Sequence, residues 1–172
     1  MCDMCGIVGF RSQSRFEGFR HSLLDAAASV SHRGPDDSGF YLDENYGVGL
    51  AHRRLSIIDL SDAGRQPMAS DDGRVQIVYN GEVYNFSSIR TELAKRGHVF
   101  KTGTDTEVIL KAYLEWGMQC LNHFVGMFAF ALWDQREESL VLARDRLGVK
   151  PLYYHQGPGV LAFASELKAL MA

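Results

Sequence analysis

The stretch Gly126–Asp134, GMFAFALWD, limits the fold more than any other part of the chain. From Met127 to Trp133 the large residues Phe128, Phe130 and Leu132 alternate with the small Ala129 and Ala131, and neither set is polar. Period-two alternation reads as a strand, but an antiparallel strand normally leaves one face in water. This one must be covered on both sides, by a second sheet on one and helices on the other. The segments after it, Leu140–Arg144, Leu152–His155 and Leu161–Ala164, read as strands continuing the same meander, with Gly157-Pro158-Gly159 as a turn. The expected fold class is α+β: a four-layer αββα sandwich of two mostly antiparallel sheets between helices.

The rest of the chain supplies the other layers. Cys5 to Phe10 reads as a strand, followed by a helical pattern in Phe16, Phe19, Leu23, Leu24, Ala27 and Val30, which Gly34-Pro35 stops. Gly39–Asp43 and Gly47–His52 are strand-like, Asp59 to Pro67 is a polar loop, and Val75–Tyr79 is a strand ending at Asn80-Gly81. Asn85 is placed to cap a helix running to Lys95 and closed by Gly97. Thr104-Asp105-Thr106-Glu107 is a capping box for another, with Val108, Ile109, Ala112, Tyr113 and Trp116 on one face and Gly117 past its end. Glu166–Ala172 reads as a closing helix without a stop signal.

Several classes of protein are excluded at this point. A chain of 172 residues is one domain's worth, and 46% apolar with 23% charged residues is a globular composition. A net charge of −3 is of the wrong sign for a general nucleic-acid or anionic-membrane binder. The longest apolar run, Phe124 to Trp133, is half the ~20 residues that a spanning helix needs. Asp3 and Arg11 bracket an apolar stretch too short for a secretory signal, and three cysteines make no disulfide framework, so a reduced, cytoplasmic location is expected.

Candidate chemistry is weak when each motif is taken alone. Cys2-Asp3-Met4-Cys5 is a CxxC, but zinc needs four ligands and Cys120 is the single other cysteine, so no metal site is expected. A thioredoxin-type pair would follow a strand rather than precede one. No GxxxxGK[ST] or GxGxxG phosphate loop occurs. Asn80-Gly81 alone is ordinarily a hairpin turn, yet Glu82-Val83-Tyr84-Asn85 leads into a helix rather than a returning strand. A glycine N–H beside an asparagine amide is also a serviceable oxyanion hole. Asp105 in a first helical turn is by default a dipole-complementing charge, Arg54 a surface strand charge, and His32-Arg33-Gly34-Pro35-Asp36 a turn.

Taken together and in order, the motifs are specific. CGIVG from Cys5, HRGPDDSG from His32, AHRRLSIID from Ala51 and NGEVYN from Asn80 are followed by TGTDTEVIL from Thr102. GMFAFALWD from Gly126, RDRLGVKPLYY from Arg144 and ASELKAL from Ala164 complete the set. From Cys5 to Leu170 the chain closely resembles the glutaminase domain of asparagine synthetase, a class II, N-terminal-nucleophile glutamine amidotransferase. The resemblance implies an Ntn-hydrolase fold and a Cys5 thiol that attacks the side-chain amide of L-glutamine. Asn80 and the Gly81 N–H would form the oxyanion hole. Arg54 would hold the substrate α-carboxylate, with Leu55, Ser56, Ile57 and Ile58 lining that wall, and Glu82 and Asp105 would take the α-ammonium. A zwitterion wants a fixed cation at one end and anions at the other.

In this family the nucleophile's own α-amine carries the proton. Reference pKa values of ~8 for the amine and ~8.5 for the thiol are well matched to that transfer near neutrality. Here Met1 to Met4 precede Cys5, and while Met4 is attached the Cys5 nitrogen is a planar amide that cannot act as a base. Residues 1–4 are therefore expected to be an extension absent from the active form, with Met4 as the favoured true start, and 5–172 the amidotransferase domain. The resemblance also implies a C-terminal synthetase domain, missing here, that uses ATP and Mg2+ to amidate aspartate with the released ammonia. No cofactor is expected in this chain, and the resemblance leaves room for a homodimer. Relatives that amidate sugars, peptides or lactam precursors remain alternatives, as do a catalytically silent glutamine-binding domain and a CxxC metal or redox module.

Overall fold

The strand that demanded cover on both faces lies at the centre of the molecule. The computed structural model describes residues 5–13, 18–54 and 64–172. Among them a first sheet is built from β1 (Gly6–Ser12), β2 (Asp37–Asp43), β3 (Val48–Arg54), β8 (Tyr153–Gly157) and β9 (Val160–Ala164), in the order β2-β3-β1-β9-β8. A second contains β4 (Met68–Ala69), β5 (Val75–Val83), β6 (Gly126–Asp134) and β7 (Ser139–Arg144), in sequence order. Every pairing is antiparallel.

Phe128, Phe130 and Leu132 of β6 turn outward and pack under α2 (Phe86–Lys95) and α3 (Asp105–Trp116), with Ile89, Leu93, Val108, Ile109 and Ala112 above them. Ala129, Ala131 and Trp133 turn inward against Ile7, Val48, Leu50 and Phe163 of the first sheet. On the far side α1 (Phe19–Ser29) covers Val8, Phe10 and Ala51 through Phe19, Leu23 and Ala27. The layers run helix, sheet, sheet, helix, as the burial pattern requires. Ala129 and Ala131 on the inner face of β6 let the sheets approach there, while Trp133 fills the space at that strand's end and large residues fill the helix side.

The structure differs from the sequence reading in five places. β8 and β9 do not continue the β6–β7 meander; they cross to the first sheet, where β9 pairs with β1. β5 runs straight through Asn80-Gly81 to Val83, paired with β6 along its length, so no turn forms there. Asn85 does not cap α2: its Nδ2 donates to the His123 carbonyl (2.9 Å) and its Oδ1 accepts the Val125 N–H (3.0 Å), tying the two ends of a long excursion together. The first helix ends at Ser29, and a 3-10 turn over Ser31–Arg33 intervenes before Gly34-Pro35. The closing helix is a single 3-10 turn, Leu167–Leu170. Phe16 of the α1 pattern and 59–63 of the expected loop lie outside the described residues.

The capping box is half kept. Thr104 Oγ1 accepts the Glu107 N–H (3.3 Å), but the Glu107 carboxylate reaches back to the N–H groups of Lys101 (2.8 Å) and Thr102 (2.7 Å) rather than to Thr104. Glu107 thereby fastens the incoming chain to the start of α3.

A second buried carboxylate explains RDRLGVK. Asp145 accepts the N–H groups of Phe128 (3.2 Å), Leu147 (3.1 Å), Val149 (2.9 Å) and Lys150 (3.0 Å), folding the loop back on β6. Burial alone would raise its carboxyl, but these donors outweigh it and hold the pKa below the usual range. Asp145→Asn keeps the shape and turns amide hydrogens toward those donors. It should lower unfolding free energy at pH 7 by about 2–3 kcal/mol in urea titrations. The gap should narrow as pH falls below about 4, where the unfolded chain's carboxylate takes a proton, and close below the lower native value.

Candidate active site

The polar motifs gather at one end of the sandwich, where β1 begins and β3 and β5 end. Cys5 immediately precedes β1 and is 3% exposed. Arg33 Nε donates to the Cys5 carbonyl (3.2 Å), while its Nη1 donates to Glu166 Oε1 (3.1 Å). His32 Nε2 lies 2.8 Å from the same Glu166 oxygen, and Lys168 Nζ is 3.2 Å from the other. Two residues on, the Ile7 N–H donates to Ser165 Oγ (3.0 Å) and the Ser165 N–H returns to the Ile7 carbonyl (2.8 Å). HRGPDDSG and ASELKAL therefore meet around the Cys5 backbone. The Cys5 sulfur is engaged in a disulfide, a form in which it cannot attack an amide.

Strand register puts Arg54 beside it. β1 and β3 pair Ile7 with His52 and Gly6 with Arg53, so one step further Cys5 comes abreast of Arg54. Arg53 points outward and donates to the Ala27 carbonyl of α1 (3.1 Å), so by alternation His52, Arg54 and Cys5 share the inner face. The Arg54 guanidinium lies against Gly64, so close that a Cβ there would meet Nη2 at 2.9 Å and the Thr104 methyl at 3.6 Å. The Arg54 head and the Thr104 methyl thus both border Gly64, and Asp105 follows Thr104 at the start of α3.

Across the sandwich, Asn80 pairs with Ala129 and faces inward, 0% exposed, with neither its Oδ1 nor its Nδ2 hydrogen-bonded. A fully buried, unpaired amide normally costs 1–3 kcal/mol. Gly81 beside it adopts φ 152°, and a Cβ would sit 2.2 Å from the Met127 carbonyl and 2.6 Å from Phe128 Cα. Only glycine lets β5 hug β6 at this point. Asp105 Oδ2 accepts the Tyr79 hydroxyl (2.6 Å) and the Val83 N–H (3.1 Å), bracketing the Asn80–Glu82 segment. Burial, followed by the Asp105 charge, raises the Tyr79 hydroxyl well above its ordinary value, so it stays the donor.

The structure brings Cys5, Arg54, Asn80, Gly81, Glu82 and Asp105 to one end of the molecule; Leu55, Ser56, Ile57 and Ile58 lie outside the described residues. Sequence reasoning left Arg33, Ser165 and Glu166 without roles, although both of their motifs were visible. It also passed over Gln66, whose Oε1 accepts the Tyr79 N–H (2.6 Å) and whose Nε2 donates to Thr106 Oγ1 (3.3 Å). Contacts over such separations leave no local signal.

A family model described as a glutamine amidotransferase domain matches residues 4–172. The chain belongs to that family. The amidotransferase domain is 42% identical, over 174 aligned residues, to asparagine synthetase [glutamine-hydrolyzing] 3 of Bacillus subtilis, covering 100% of this chain and 28% of that protein. It is 41% identical to the amidase chry2 of Gibberella zeae, covering 83% of this chain and 21% of that protein. The chain therefore spans less than a third of the length of these relatives. In fold it matches the glutamine phosphoribosylpyrophosphate amidotransferase of B. subtilis with TM-score 0.76 at 20% identity, over 97% of this chain and 43% of the other. That likeness shows that the two chains share the α+β sandwich fold. Among the described residues of the amidotransferase domain, no helix is long and apolar enough to cross a membrane.

One histidine of the inner face has a consequence for stability. His52 is 2% exposed, and burial, partly offset by its bond to the Tyr79 carbonyl, lowers its pKa to about 4. Between the ordinary value of 6.5 and 4 the unfolded chain binds a proton that the native one refuses, so stability falls as pH drops through that window. The integrated loss approaches about 3 kcal/mol. Urea midpoints at pH 7.5 and pH 5 should converge more closely in His52→Gln than in the parent; equal losses would contradict this.

Proposed function

We propose that this chain is the glutaminase half of an asparagine synthetase. It would hydrolyse L-glutamine through Cys5 and pass ammonia to an ATP-dependent amidation of aspartate in a separate synthetase domain. The observation that carries the reading is the Asn80 amide, wholly buried and unpartnered on the inner face that Cys5 also addresses. Unsatisfied buried donors are tolerated where a transient charge uses them.

In the proposed reaction the Cys5 thiol, its proton taken by its own α-amine, attacks the carboxamide carbon. Asn80 Nδ2 and the Gly81 N–H receive the oxyanion. The ammonium form of the amine returns the proton to the leaving nitrogen and ammonia departs. Water then cleaves the glutamyl thioester to glutamate, regenerating the thiol. Arg54 holds the α-carboxylate, against the wall assigned to Leu55, Ser56, Ile57 and Ile58. Glu82 and Asp105 hold the α-ammonium. The Arg54 head and Thr104, the residue before Asp105, both border Gly64, which supports that pairing.

The chain itself would need no cofactor; ATP and Mg2+ would belong to the synthetase domain. A cytoplasmic setting suits a reduced thiol, and a homodimer suits the reading equally. A second destination for the ammonia, an amide-forming paralogue, is supported by the similarity to the G. zeae amidase.

Two experiments test this. A form beginning at Cys5, kept under reductant, should release glutamate and ammonia from glutamine. The form retaining residues 1–4 should be slower by on the order of 10²-fold or more, since its base is acylated. Intact mass with a coupled glutamate assay reads both, and equal rates would overturn the α-amine mechanism. In the trimmed form, Asn80→Ala should lower kcat by roughly 10²–10³-fold. Arg54→Ala should chiefly raise KM for glutamine and leave alkylation of Cys5 unchanged.

A further inference from the structure

We infer that His52 is the positioning residue that sets the oxyanion strand across from the nucleophile. This rests on the glutaminase reading and adds a residue to it. His52 stands on β3, two places before Arg54 and opposite Ile7 in β1, on the sheet that carries Cys5. Its Nε2 lies 3.2 Å from the carbonyl of Tyr79, on the other sheet and next to Asn80. A carbonyl only accepts, so the ring carries its proton on Nε2 and donates.

Tyr79 is thereby gripped at three points. Gln66 holds its N–H, His52 its carbonyl and Asp105 its hydroxyl. The peptide that His52 grips is the one that begins Asn80. The cluster between the sheets is otherwise of apolar residues, among them Ile7, Leu50, Val78, Ala131 and Phe163, with the Arg11 guanidinium over the Trp133 ring. Such contacts resist separation but tolerate sliding, whereas a hydrogen bond weakens steeply off axis. The donors of an oxyanion hole must stand within a few tenths of an ångström of the developing charge. A misplacement of about 1 Å can cost on the order of 10² in rate. His52 supplies the directional link that apolar packing lacks. It touches no substrate in this scheme and acts through Tyr79.

The role depends on a neutral donor of the right reach, so two variants separate it from simple packing. His52→Phe keeps an aromatic ring and loses the donor; His52→Gln keeps an N–H near the position of Nε2. In the trimmed, reduced chain, kcat for glutamine hydrolysis should fall 10- to 100-fold in His52→Phe. KM should stay within twofold, and the alkylation rate of Cys5 by iodoacetamide should match the parent. His52→Gln should recover most of kcat. The inference is overturned if His52→Phe retains full kcat, if His52→Gln is as slow as His52→Phe while folded, or if kcat and alkylation fall together. Should His52→Phe fail to fold, the test stands on His52→Gln: it must keep kcat within a few-fold at unchanged KM. If the parent chain itself leaves glutamine untouched, the glutaminase reading fails, a result distinct from any of these.

Discussion

Two-sided burial of β6 is the constraint from which the architecture follows. A strand with Phe128, Phe130 and Leu132 on one face and Ala129, Ala131 and Trp133 on the other cannot sit at a wet surface. It draws α2 and α3 over one face and the first sheet over the other, and the outer face of that sheet then needs α1. Four layers are the smallest arrangement that leaves none of these apolar faces in water.

Stacked sheets alone would leave their ends undefined. Buried carboxylates and amides do the pinning instead. Asp145 folds RDRLGVK onto β6, Glu107 ties the approach to α3, Asn85 closes the excursion between β5 and β6, and Gln66 takes over from β4 where its pairing stops. Each is a polar group that would be costly to bury unless its partners were in place. These groups therefore select one loop geometry over many. Three of them lie within a few residues of the site end, where Cys5, Arg54, Asn80 and Asp105 come from four separate stretches of chain. Asn80 contrasts with the four pinning groups in being buried with neither amide atom hydrogen-bonded.

Much of this was legible in the residues themselves. Period-two and helical patterns located the strands and helices to within a few positions, and the two-faced apolar run dictated the layering, because side-chain direction along a strand is a local property. The ordered motifs indicated the family. Other features were not legible, each for a physical reason. Asn85 looked like a cap, and its amide found better partners in His123 and Val125, some forty residues away. Asn80-Gly81 looked like the end of a strand, and β6 offered β5 a full ladder that carried it through to Val83. β8 and β9 looked like more of a meander, but β1 needed a second neighbour.

By itself the sequence determined which residues seek burial, where strands and helices form, and to which family the chain belongs. Only the tertiary structure decided that Arg33 and Glu166, 133 residues apart, clamp the Cys5 backbone, that Arg54 and Thr104 both border Gly64, and that His52 joins the two sheets at Tyr79. Pattern and propensity act over a turn or a strand, whereas these contacts depend on strand register and sheet stacking. Neither exists until the apolar faces have closed on one another.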